Sequence, residues 1–182
     1  MSKLDLKHRD HMPEALRVLL ETFPREDWEA HPHFSGLVAF WLDRHLMFRN
    51  LLGSLQSDAE AAIDRKIDPQ SHKKRVSQYG GMLVSQLHGH HQIEDHHYFP
   101  VLSKMEPKLL KGFDILDADH HAMDGLLNRF TSSANAVLQG KGKPGPFHKE
   151  LLSFGALLHR HLEDEEDLIV PVILKHGPYA LE

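Results

Sequence analysis

Four long stretches of this chain repeat apolar residues every three or four positions, and each repeat is interrupted by histidine or by histidine and glutamate. That period is helical, and it places one apolar stripe per helix toward a common interior. The first stretch, about residues 34–67, presents Val38, Trp41, Phe48, Leu52 and Leu55, with His45 filling the gap. In the second, about 70–105, Leu83 and Leu87 lead to His90 and Glu94, with Val101 beyond. The third, about 108–138, shows Phe113, Leu116, Met123, Leu127 and Phe130 around His120. The fourth, ending near Lys175, runs from Leu151, Phe154 and Leu158 through His161 and Glu165 to Leu168 and Val172. Asp68-Pro69, Glu106-Pro107 and the Gly140–Pro146 linker separate them. No segment alternates with period two, so no strand is expected. The expected fold is all-α: an antiparallel four-helix up-down bundle over about 34–175, preceded by a short leader helix over about 10–24 with Pro13 in its first turn. A length of 182 residues fits a single domain over 1–182.

Composition narrows the chemistry. Without cysteine there are no disulfides, Fe–S clusters, thiolate zinc sites or cysteine nucleophiles. A net charge of −5 and a pI near 6.4 speak against a nucleic-acid partner. The longest apolar runs, such as Leu37–Leu42, are too short to span a bilayer, and the first ten residues lack the apolar segment of a signal peptide. A soluble cytoplasmic protein is therefore expected, with neither nucleic acid nor membrane as partner. No phosphate-binding glycine loop or nucleotide fingerprint occurs, and nothing favours a Ser–His–Asp arrangement. What stands out is 17 histidines.

The helical stripes sort these histidines. His90-x3-Glu94-x5-Pro100 in the second stretch is matched by His161-x3-Glu165-x5-Pro171 in the fourth. Each follows a lone histidine, His45 or His120, by 45 and 41 residues respectively. Residues four apart share a helix face, so each His-x3-Glu pair projects two ligands inward together. Buried imidazoles and carboxylates are costly unless paired or metal-bound. Two glutamates can bridge two cations, and His45, His90, His120 and His161 can cap them, two per metal. Oxygen and nitrogen donors without sulfur suit iron first and manganese second, although imidazole also accepts zinc or copper. His120 is preferred to His121, whose face carries Asp117, Asp124 and Asn128. His91-x3-Asp95 has the spacing of His90-x3-Glu94, but only Glu94 lies six residues before its proline as Glu165 does. His91/Asp95, His97, His121 and His159 stay open as sources of further ligands. The run Glu163–Asp167 reads as a solvated face with only Glu165 turned inward. Asp95 and Asp164 are candidates to orient ligand imidazoles through the second ring nitrogen. The remaining histidines read as surface or boundary residues.

These residues, His45, His90-x3-Glu94, His120 and His161-x3-Glu165, with the endings Tyr98–Pro100 and Ile169–Pro171, resemble the hemerythrin-like (HHE cation-binding) family over about Phe34–Lys175. The resemblance implies a non-haem di-iron centre with bridging carboxylates, completed by an oxo or hydroxo bridge, in an antiparallel four-helix bundle. Oxygen carriers of the family use a fifth histidine one turn before the third-helix ligand, and here that position is Leu116. Six protein ligands would leave open positions on both metals for dioxygen, peroxide or nitric oxide. The ligand set is also similar to the di-iron domain of bacterial iron-centre repair proteins, whose usual cysteine-containing N-terminal domain has no counterpart here. The expected role is binding or sensing dioxygen, nitric oxide or peroxide, or handling iron under oxidative or nitrosative stress. The alternatives are a redox enzyme (peroxidase-like, nitric-oxide-reducing or iron-centre repairing) and metal storage or a structural metal site.

Overall fold

A computed structural model of the protein describes residues 3–34 and 36–181, and every regular element among them is helical. The leader is less regular than a helix over 10–24. It consists of a 3-10 turn at Glu14–Leu16, a five-residue helix α1 (Val18–Thr22) and a second 3-10 turn at Arg25–Asp27. Pro13 and Pro24 each precede a 3-10 turn, where a missing N–H costs nothing. Helix α2 spans Leu37–Ile63.

The second stretch is a run of three α-helical pieces, α3 (Pro69–Arg75), α4 (Gly81–Ile93) and α5 (Phe99–Met105), joined by π-helical segments at Val76–Gly80 and Glu94–Tyr98. Asp68 starts it by accepting the backbone N–H groups of Gln70 and Ser71, with Pro69 in the first turn. Helix α6 spans Leu110–Leu138 and α7 spans Pro144–His176. Gly140, at φ +71°, takes the left-handed conformation that ends α6. The linker is shorter than Gly140–Pro146, because Pro144 already opens α7. No helix among the described residues is long and apolar enough to cross a membrane.

The chain forms two compact units. The first comprises residues 1–45, 91–121 and 159–182. Its apolar core includes Met12 and Trp28 of the leader, Val38 and Trp41 of α2, Phe99 and Leu102 of α5, Phe113 and Leu116 of α6, and Leu168 and Val172 of α7. Gly112 lets α6 and α7 approach closely, since a Cβ there would lie 2.8 Å from Leu168 Cδ2. The second unit comprises residues 46–90 and 122–158. Its interior is aromatic: Phe130 stacks on Phe154 at 5.6 Å between ring centroids and leans on Phe147 at 6.1 Å.

Candidate metal centre

The first unit buries its charge where its helical runs bring imidazoles and carboxylates together. His45 comes from α2, Glu94 from the π-helical segment after α4, His120 from α6, and His161 and Glu165 from one turn of α7. All are at most 3 % exposed. Their ring and carboxylate atoms converge. Glu165 Oε1 lies 3.0 Å from His120 Nε2 and 3.1 Å from His161 Nε2, while Glu165 Oε2 lies 3.5 Å from His45 Nε2. Glu94 Oε2 is 3.6 Å from His120 Nε2, and its Oε1 accepts the Trp41 indole N–H at 2.7 Å.

The candidate ligand atoms fall into two sets, each within 4.8 Å internally: His45, His90, Glu94 and Glu165 in one, His91, His120 and His161 in the other. His90 ends the second unit and stands one turn before Glu94 on a continuous helical run, with its ring 5.2 Å from Phe48. His91 is the residue that the repeat disfavours, and the structure brings it in. It is buried, stacks on His120 at 4.0 Å and meets His161 edge-on at 5.3 Å. Consecutive helical side chains diverge by about 100°. His90 and His91 therefore reach different sets rather than competing for one. His90 and Glu94 thus lie in one set, while His91 lies in the other and Asp95 holds His120.

His45, His120 and His161 turn Nε2 toward the centre and are each held through Nδ1 by a carboxylate, which can only accept the ring N–H. His45 Nδ1 donates to Glu166 at 3.0 Å, His120 Nδ1 to Asp95 at 2.6 Å and His161 Nδ1 to Asp119 at 3.4 Å. This arrangement fixes ring orientation and raises donor strength. Asp95 plays the role expected of it. Asp164 does not: it accepts from Arg9, Arg160 and the Met12 backbone N–H, and Asp119 holds His161 instead. The run Glu163–Asp167 is likewise not a solvated face. Asp164, Glu165, Glu166 and Asp167 are all buried, the first two completely. Leader arginines make this possible, since Arg25 pairs with both Glu166 and Asp167 and Arg9 pairs with Asp164. Asp119 and these arginines carry no periodic signal, although Asp119 directly precedes a ligand candidate.

The surface histidines lie apart from the centre. His121 is exposed beside Asp117, His159 pairs with Glu163 at the surface, and His97 faces the Leu181 carbonyl.

Electrostatics in the protein alone show how strongly the cluster attracts positive charge. Burial lowers the proton affinity of His120, yet Asp95 and Glu165 override it and raise its pKa to about 10. Burial acts the same way on His161, and Glu165 and Asp119 bring it up to about 9. Burial would raise the pKa of Glu165, but His161 and His120 hold it well below the ordinary carboxylate range. Protons on imidazole stand where a cation would otherwise balance the glutamates. Even so, the fully buried His161 Nε2 and Glu165 Oε2 find no hydrogen-bond partner. Nitrogen and oxygen donors, inward Nε2 atoms and unsatisfied buried polar atoms together suit the binding of metal cations.

Among known families, the model of the hemerythrin HHE cation-binding domain matches residues 36–173. Neither the curated proteins nor the solved structures yield a match.

Proposed function

The chain belongs to the hemerythrin HHE cation-binding domain family, and on that premise we propose that it is a cytoplasmic, non-haem di-iron protein that binds or senses dioxygen, nitric oxide or peroxide. His45, His90, Glu94, His120, His161 and Glu165 would hold the ions, with Glu94 and Glu165 as bridges, in an antiparallel up-down four-helix bundle. His91 would join His120 and His161 in holding the second ion. When bound, the iron pair supplies reversible electron transfer to a small ligand. The protein's part is to fix the imidazoles through Glu166, Asp95 and Asp119, to hold Glu94 with the Trp41 indole, and to keep water away with Phe99 stacked on His120.

The observation that carries this reading is the pair of adjacent buried donor sets, one with two imidazoles and both carboxylates, the other with three imidazoles. With His91 counted, the donors are five histidines and two glutamates, the number that Leu116 denied to the third helix. These seven nitrogen and oxygen donors would hold two ions, and the electron transfer such ions supply would serve to bind a small ligand.

Metal analysis with an absorption spectrum of the purified protein tests this, comparing the wild type with Glu94→Ala and Glu165→Ala. About two irons per chain and a bridge-derived charge-transfer band are expected, both lost in the variants. Full metal retention in both variants would remove the proposed site. A spectrum that changes reversibly as dioxygen is added and withdrawn supports binding, whereas many turnovers with peroxide or nitric oxide and a reductant would make the protein an enzyme.

A further inference from the structure

The segment before residue 36 lies outside the matched domain, yet two of its side chains reach the carboxylates that hold the ligand histidines. Arg9, with a side chain only 2 % exposed, contacts Asp119 through both terminal nitrogens, at 2.5 and 3.4 Å, and Asp164 through Nε at 2.8 Å. Asp119 Oδ2, the nearer oxygen, also accepts the Nδ1 proton of His161. Arg25 repeats the arrangement. Its guanidinium donates to Glu166 Oε2 and Asp167 Oδ1 at 2.8 Å each, while Glu166 Oε1 accepts from His45 Nδ1 at 3.0 Å. There are thus two relays, Arg9–Asp119–His161 and Arg25–Glu166–His45. The first ends in the three-histidine set, the second in the set holding both glutamates.

We propose that Arg9 and Arg25 are positioning residues of the leader, each tuning one half of the metal centre through the carboxylate that holds that half's histidine. The proposal rests on the two-metal reading above. A carboxylate on Nδ1 makes the imidazole a stronger donor, and partners of this kind govern metal affinity nearly as much as the ligands do. A guanidinium on that carboxylate shares its charge and fixes its position, Arg9 by donating to both oxygens of Asp119 and Arg25 by donating to Glu166 and Asp167 together. Without the fork, Asp119 or Glu166 is free to rotate away from its histidine. Because each relay ends in a different set, each arginine should govern one ion. A leader that merely packed over the domain would affect both equally.

Arg17 is the internal control. It also belongs to the leader and lies 3.5 Å from Asp167, a carboxylate that holds no ligand histidine.

The metal-free protein is titrated with cobalt(II), following visible absorption and heat, for the wild type and for Arg9→Gln, Arg25→Gln and Arg17→Gln. His161→Ala and His45→Ala mark which binding step belongs to which set, and circular dichroism checks the fold. Arg9→Gln should weaken the step marked by His161→Ala roughly 10–100-fold, and Arg25→Gln the step marked by His45→Ala by a similar factor. Arg17→Gln should leave both steps as in the wild type. Arg9→Lys keeps the charge without the fork and should weaken the same step less than Arg9→Gln. If the Arg9 variants do not fold, the decision falls to Arg25, whose side chain is 43 % exposed and tolerates exchange. Equal weakening of both steps, no weakening, or a matching effect in Arg17→Gln overturns the proposal and leaves the two-metal reading standing. Fewer than two cobalt ions bound by the wild type would instead overturn that reading.

Discussion

Helices α2, α4, α6 and α7 contribute to both compact units, but they are filled by opposite principles in each. In the first unit they bury His45, Glu94, Asp119, His120, His161 and the acidic run Asp164–Asp167. In the second they bury Phe48, Leu55, Leu83, Leu87, Phe130 and Phe154, and the buried polar side chains among the described residues are Asp58, His72 and His90. The same helical scaffold thus carries a costly polar interior in one unit and an inexpensive apolar one in the other. Burying charge destabilises unless every group is paired.

The largest expected effect tests that contrast through pH. In the metal-free protein the pKa of His120 is about 10 and that of His161 about 9, both above the ordinary value of 6.5. A histidine whose folded pKa is raised stabilises the fold fully below its unfolded pKa and loses that contribution as pH rises through the folded pKa. Metal-free protein should therefore lose stability, on the order of several kcal/mol in total, as pH rises from about 7 to beyond 10. Denaturant midpoints across that range measure it. In the metal-loaded protein the same imidazoles are unprotonated ligands, so this dependence should vanish, and loading at neutral pH should release protons. A metal-free protein equally stable at pH 7 and 10 would refute the account.

The second unit offers the matching perturbation. Phe130 is 1 % exposed and touches both Phe147 and Phe154, so Phe130→Ala should cost about 3–5 kcal/mol. This loss should not depend on pH between 7 and 10, because neither His120 nor His161, the histidines with raised pKa, belongs to that unit. Chemical denaturation at the two pH values separates the two kinds of interior. In the first unit, Gly112→Ala sets a Cβ 2.8 Å from Leu168 Cδ2 and should cost about 1–3 kcal/mol by overpacking.

The contrast also explains how far the amino-acid sequence alone can be read. Periodicity reports which face is buried, so the helical character of the four stretches and the seams at His45, His120 and His161 are directly legible. It also treats each helix as having one inward direction, and therefore sets His90 against His91. The helix around them faces two donor sets, and the π-helical segment Glu94–Tyr98 follows at once. Such segments cluster at functional sites and leave little trace in an apolar pattern. The acidic run of α7 misleads for a related reason. Five consecutive acids look solvated unless something distant neutralises them, and Arg9 and Arg25 lie well over a hundred positions away in the chain. The leader shows only proline spacing, which marks turns but not the long-range pairs that its arginines make.

The smallest expected effect isolates the second unit from the site. Asp68 starts α3 by accepting the N–H groups of Gln70 at 3.1 Å and Ser71 at 2.9 Å, and the Ser71 side chain, followed by these N–H groups, pulls its pKa below the ordinary carboxylate value. Asp68→Ala returns both donors to water and should lower the denaturation midpoint slightly, as the loss of a helix cap does. Asp68→Asn and Asp68→Ser keep an acceptor in place and should recover most of that loss. Since the cap touches no ligand and no carboxylate that holds one, cobalt(II) should bind all three variants with the wild-type affinities in both steps. A shift in either step would mean that the two kinds of interior are energetically coupled, and that the polar unit is not preorganised by its own ion pairs alone.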